Sequence, residues 1–386
     1  MKFASRMGRL GTETAFEVLA RARELESQGK HVVHLEIGEP DFDTPQHIVD
    51  AGVAALKDGF THYGPSAGLP EVRQVIIDEV NRTRGLSLGP HHVVITPGAK
   101  PILFFTALAA IETGDEVIYP DPGFPIYESV INFVGAHPAP IPLRESNDFQ
   151  IDLSELKRLI TPRTRMIIIN SPGNPTGGVL SHEQLEAIAE LALKHDLWVL
   201  SDEIYGRIIY EGKHESITQF DGLVERTIIL DGLSKAYAMT GWRLGYGVMP
   251  NDLAFLVSRL MTNSNSCTAS FSQRAIIAAL QGTQKPTDDM VAEFRRRRDM
   301  LVAELNTVPG FSCRKPRGAF YVFPNITATG RKSRELAERL LEDAGVAVLS
   351  GTAFGAQGEG YLRLSYANST ENLREAVRRI REYLGK

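Results

Sequence analysis

Residues 164–204, TRMIIINSPGNPTGGVLSHEQLEAIAELALKHDLWVLSDEI, carry the reading that decides the fold. The run TRMIIIN (164–170) is β-branched and lacks polar alternation, the pattern of a strand covered on both faces. SPGNPTGG (171–178) is dense in turn formers and reads as a loop. Apolar residues then recur at helical spacing through SHEQLEAIAELALKHD (181–196), and Ser181 followed by Gln184 predicts a capping box at its start. The next apolar run, LWVLSDEI, is a second strand ending near Asp202. Strand, helix and strand in this order form a βαβ unit, whose two strands lie parallel.

The same alternation extends from about residue 90 to 250, which predicts a mostly parallel sheet covered by helices. ERTIILD (225–231) and RLGYGVM (243–249) read as further strands. Between them GLSKAYAMTGW has too many small and polar residues for a core strand, so it is a candidate site loop. Beyond residue 285 long charged helices are broken by GAFYVF (318–323) and YLRLSYA (361–367), an α+β pattern. At 386 residues the chain exceeds the size of one hydrophobic core. The reading is therefore an α/β protein with a large domain over 36–284 and a smaller α+β domain made of 1–35 and 285–386.

Composition excludes several classes of function. The chain is 43% hydrophobic and 23% charged, as ordinary globular proteins are. Its 42 basic and 47 acidic residues are interspersed, which leaves no basic footprint for nucleic acid. The run Arg295 to Arg298 reads as a solvated helix face. Cys267 and Cys313 are far apart and in no ligand pattern, which fits a reducing, cytoplasmic setting. Neither a signal-peptide core nor a membrane-length apolar stretch is present, so an unexported protein off the membrane is expected. His31, His34, His91 and His92 have no HExxH motif or carboxylate triad beside them, and no metal is expected. GxGxxG after a strand, GxxxxGK[ST] and GxSxG are all missing, which argues against dinucleotide, nucleotide triphosphate and serine-hydrolase chemistry.

Five segments have residues that suit one chemistry. In LDGLSKAYAMTGWRLGY, Ser234, Lys235 and Arg243 suit a phosphate beside an amine, and a lysine buried near another cation can attack an aldehyde. In TPGAKP a strand turns through Gly98 into a helix, aiming the backbone N–H groups of Gly98, Ala99 and Lys100 at an anion. Asp202 and Tyr205 stand at the carboxyl end of a strand, where open α/β sheets bind ligands. Asn174 occupies a loop at that same end, and Arg363 in YLRLSYA offers a fork suited to a carboxylate. Each segment alone also has a structural reading. These are an incidental surface pair, a plain helix start, a strand-end turn cap, an Asn-Pro turn and a solvated edge strand. Tyr63 and Gly38 lie in loops whose composition marks only turns.

In order, GEPDFDTP, HYGPSAGLPEVR, TPGAK, NSPGNPTGG, SDEIYG, SKAYAMTGWRLGY and YLRLSYA resemble the class I and II aminotransferases, fold type I enzymes of pyridoxal 5'-phosphate (PLP). The resemblance covers nearly the whole chain and points to the bacterial aspartate aminotransferase-like subgroup. It implies transfer of an amino group from an L-amino acid to a 2-oxo acid by a ping-pong mechanism. Lys235 is then the lysine that carries PLP as a Schiff base and shuttles the proton, with Asp202 on the pyridine nitrogen and Tyr205 and Asn174 on the phenolic oxygen. Ser234, Arg243, Gly98, Ala99 and Lys100 form the phosphate cup. Tyr63 reaches the phosphate of a neighbouring subunit, which implies a homodimer with shared sites, while Arg363, Gly38 and Asn174 hold the substrate carboxylate. Phe124 stands where many relatives carry a tryptophan stacked on the cofactor, and Glu13 belongs to the segment lining the entrance. Two alternatives accompany this reading. A carbon–sulfur lyase keeps the same fold, and a ligand-sensing domain of a regulator would need a DNA-binding domain for which there is no room before Gly38.

Overall fold

Covering both faces of one strand accounts for the apolar run that opened the sequence reading. In the computed structural model, which describes residues 2–385, Met166 and Ile168 pack on one side of the sheet while Ile167 and Ile169 pack on the other. The first pair shares an apolar cluster with Ile102 and Leu103 of the helix Lys100–Ala110, and the second shares another with Leu185, Ile188 and Ala189 of the helix His182–Lys194. Each such side chain contributes about 1.5–3 kcal/mol relative to exposure. The capping box forms as predicted. Gln184 N–H donates to Ser181 Oγ at 3.3 Å, and Ser181 N–H donates to Gln184 Oε1 at 3.2 Å.

Among the described residues there are twelve strands, in chain order β1 Val33–His34, β2 Val93–Thr96, β3 Glu116–Asp121, β4 His137–Pro142, β5 Thr164–Asn170, β6 Trp198–Asp202, β7 Thr227–Gly232, β8 Gly245–Val248, β9 Tyr321–Val322, β10 Val346–Ala347, β11 Leu349–Ser350 and β12 Leu362–Ser365. The main sheet has seven strands in the order β2-β8-β7-β6-β5-β3-β4. All its pairs are parallel except those made by β8, which runs against both β2 and β7. A second sheet, β11-β12-β9, is antiparallel, and β1 pairs with β10.

The run Arg295 to Arg298 departs from its reading as a solvated face. Arg295 and Arg296 are exposed, whereas Arg297 and Arg298 are buried within the helix Lys285–Leu305. Arg298 donates to Pro316 O at 2.8 Å, pairs with Glu211 and Asp299, and stacks 4.6 Å from the Tyr210 ring centre. Arg297 pairs with Asp41 and Glu293 at 2.8 Å each. Partners supplied from other segments satisfy both guanidinium groups, which the spacing of the run alone does not reveal. Among the described residues no helix is long and apolar enough to cross a membrane.

Candidate active site

The carboxyl-terminal edge of the parallel strands gathers the loops singled out above. After β2 the chain turns through Gly98 into the helix Lys100–Ala110, whose N-cap, Ala99, has no side chain to satisfy the first N–H groups. The N–H groups of Ala99 and Lys100 are open to an anion, whereas Pro101 has none and Ile102 N–H donates to Ala99 O at 3.0 Å. Gly98 N–H, expected to face the anion as well, donates instead to Thr96 O at 2.8 Å, so Gly98 shapes the turn and is not one of its free donors. Gly98 is needed on two counts: its φ is +89°, and a Cβ there would stand 2.2 Å from Arg243 Nη2. Arg243 itself precedes β8 and donates to Thr240 O at 2.8 Å. Ser234, in the turn after β7, is buried and lines the same cavity as Ala99, Lys100 and Arg243.

That cavity has a volume of ≈ 340 Å³. Lys235 Nζ reaches into it, donates to Gly38 O, and lies 6.0 Å and 5.8 Å from the ring centres of Tyr205 and Phe320. Burial, followed by the charge of Arg363, pushes its ammonium down to about 8, so neutral amine is present near neutral pH. Asp202 is buried at the end of β6, where Oδ2 accepts from Tyr127 Oη at 2.5 Å and Oδ1 from Ile204 N–H at 3.2 Å. Burial pushes its carboxyl up to about 6, against the pull of those two hydrogen bonds. Above that pH it is a buried anion facing a cavity, an arrangement that favours a cationic ring nitrogen.

Arg363 lies in the middle strand of the small sheet and is 4% exposed, which overturns the solvated-edge alternative. Its guanidinium donates to Glu36 O and to Asn174 Oδ1 (3.4 Å), while its Nε is buried without a partner. Asn174 and Tyr205 are buried, Phe124 is half-buried with its ring edge-on to Tyr127, and all three line the cavity. Gly38 lines it too, pressed against the Tyr321 hydroxyl. The Lys100 ammonium turns toward Glu13 and lies 5.5 Å from the Phe124 ring centre, so only its backbone faces the anion cradle. Tyr63 alone stays apart: it is 90% exposed and outside the cavity wall. Tyr127 and Tyr321 were not foreseen. Their hydroxyl partners, Asp202 and Tyr205, lie 75 and 116 residues away, and no local pattern marks them.

The family described as aminotransferase class I and II matches residues 30–380. The chain belongs to the class I and II aminotransferases. This transaminase is 42% identical to an aspartate aminotransferase of Pyrococcus abyssi, over 92% of both chains. It is 40% identical to aromatic-amino-acid aminotransferase 2 of Thermococcus litoralis, again over 92% of both. The aspartate aminotransferase of Thermus thermophilus solved with maleate shares its fold with a TM-score of 0.95, at 38% identity and 99% coverage of each. The fold is thus type I of the PLP enzymes, and the matched relatives do not favour the lyase or sensor alternatives. The cofactor of the family is PLP, and the residues present fit it. An anion cradle, a desolvated amine and a buried carboxylate converge on one cavity.

Proposed function

We propose that this aminotransferase binds PLP, whose phosphate would be held by the backbone N–H groups of Ala99 and Lys100 in the turn that Gly98 shapes and by Ser234 and Arg243, with Lys235 Nζ as the amine for its aldehyde. The observation that carries the proposal is the position of the desolvated Lys235 amine in one cavity with the Gly98–Arg243 cradle and buried Asp202. Bound there, PLP supplies an aldehyde that takes up the amino group and a ring that delocalises electrons released at the substrate α-carbon. Asp202 would keep a proton on the ring nitrogen, Tyr205 and Asn174 would donate to the phenolic oxygen, and Phe124 would lie against the ring. Arg363, the Gly38 backbone and Asn174 hold the α-carboxylate; the unpartnered Nε of Arg363 supports this. Lys235 Nζ, within the same cavity, would take up and return the substrate's α-proton.

Two features near the cavity mouth support acceptance of both dicarboxylic and aromatic side chains. Lys100 can exchange Glu13 for a substrate carboxylate, and Phe16, Leu103, Leu349 and Phe354 give apolar walls. The names of the relatives, aspartate and aromatic aminotransferases, point the same way. The exposure of Tyr63 supports a homodimer in which it serves the partner's site. We assign the protein to the cytoplasm, with a large domain over 36–284 and a small one from 1–35 and 285–386.

The test mixes holoenzyme with single amino acids and follows loss of the visible absorbance of the lysine-bound cofactor as its aminated form appears. Aspartate and phenylalanine should both convert it, and Lys235→Ala should bind PLP without converting. Full turnover by Lys235→Ala sinks the assignment.

A further inference from the structure

Tyr321, the first residue of β9, stands where three parts of the site meet. Its hydroxyl oxygen is 2.7 Å from Tyr205 Oη. Its ring centre lies 4.4 Å from Arg363 Cζ. A Cβ on Gly38 would come within 2.3 Å of the same hydroxyl, and the Gly38 carbonyl is the acceptor of Lys235 Nζ. The side chain is 1% exposed, so its hydroxyl depends on a protein partner, and Tyr205 is that partner.

Counting protons sets the direction of the bond. Each phenol has one O–H to give. Once Tyr205 donates to the cofactor's phenolic oxygen it has none left for Tyr321, so Tyr321 is the donor and Tyr205 the acceptor. Accepting that bond polarises Tyr205 and strengthens its own donation. The guanidinium stacked on Tyr321 draws electron density from the ring and sharpens its hydroxyl as a donor. A carboxylate arriving at Arg363 cancels that charge.

We propose that Tyr321 is a positioning residue of the transaminase site, which fixes the direction of the Tyr205 hydrogen bond and relays the charge state of Arg363 to the cofactor. A carboxylate bound at Arg363 would then weaken the donation from Tyr321 to Tyr205. This rests on the roles given above to Tyr205 and Arg363.

The test is a pH titration of holoenzyme absorbance, alone and with succinate or 3-phenylpropionate, two carboxylates with no amino group to transfer. A donor to the phenolic oxygen favours the deprotonated chromophore, so Tyr321→Phe should raise the midpoint by about 0.5–1 pH unit, the worth of one buried hydrogen bond. It should also shrink the upward shift that the bound carboxylate causes in the wild type. In a Tyr205→Phe background Tyr321→Phe should add nothing further. Gly38→Ala, which pushes on the Tyr321 oxygen, should reproduce the shift and serves if the phenylalanine variant loses the cofactor. An unmoved midpoint in both variants, or an equal shift with Tyr205 already removed, overturns the relay. A Tyr205→Phe midpoint equal to that of the wild type instead sinks the assignment of Tyr205, so the two failures are told apart.

Discussion

Glu13 and Lys100 give the sharpest prediction about substrate choice. Their charged ends meet at the mouth of the cavity, with the Lys100 side chain 49% exposed and that of Glu13 18% exposed. A pair so open to solvent is worth about 0.2–1 kcal/mol. An incoming dicarboxylic amino acid must break it before its distal carboxylate can take Lys100, whereas an aromatic one need not. Glu13→Gln removes the competitor and should lower KM for aspartate about 1.5- to 5-fold, the range that 0.2–1 kcal/mol spans. Lys100→Met removes the cation and should raise the same KM about 5- to 10-fold, since half-exposure discounts a charge-assisted bond to about 1–1.4 kcal/mol. Neither change should move KM for phenylalanine by more than about twofold, and the Glu13→Gln gain should shrink as salt screens the pair. Steady-state kinetics with aspartate and phenylalanine as donors, at low and high salt, read all of this. Equal changes for the two donors would refute the reasoning, because the pair would then act on the fold of the mouth and not on a substrate charge.

Three further outcomes follow from the geometry. Burial places the Lys235 ammonium at about 8, and only the neutral amine attacks an aldehyde, so capture of PLP by apoenzyme should accelerate as pH rises through about 8; a stopped-flow midpoint at the ordinary lysine value contradicts the desolvated site. Arg298→Met leaves Glu211 and Asp299 free to rehydrate, since they are 42% and 46% exposed, but strands the buried Pro316 carbonyl. The cost in urea unfolding should be about 1–3 kcal/mol, and no loss would show that the carbonyl finds water. Mixing inactive Lys235→Ala with Tyr63→Ala should, after subunit exchange, restore activity toward about a quarter of wild type, because one site in each hybrid has both residues; mixtures no better than their components would exclude shared sites.

Legibility of this molecule in its sequence followed the range of each physical signal. The βαβ units and the capping box depend on residues a few positions apart, and both are legible in residues 164–204 alone. Site residues were individually ambiguous, since a glycine before a helix or an aspartate after a strand is common. Their serial order gave them roles only by way of the family resemblance. Arg298 was misread because helical spacing reports which face a side chain leaves on, and not whether Glu211, Asp299 and Pro316 will close over it. Tyr127 and Tyr321 left no trace because a buried phenol looks like any core aromatic until its hydroxyl partner is known.

The density of cavity-lining residues between Gly232 and Gly245 has a topological cause. Parallel strands need a crossover to return the chain to the same edge, so Gly98, Phe124, Asn174 and Asp202 arrive one per unit, each after its own strand. β8 is antiparallel to β7, and its beginning therefore lies on the edge where β7 ends. The connection between them needs no crossover helix, which lets Ser234, Lys235 and Arg243 reach the cavity from one short loop. Because β8 also pairs antiparallel with β2, that loop comes to rest against the turn at Gly98, and Gly245 packs on the backbone of Gly98 and Ala99. A Cβ at Gly245 would stand 2.3 Å from Ala99 N, so even the absence of a side chain at that position lets the two turns meet. One reversed strand thus explains why Ser234, Lys235 and Arg243 are neighbours in sequence, while the other residues of the cavity wall are scattered.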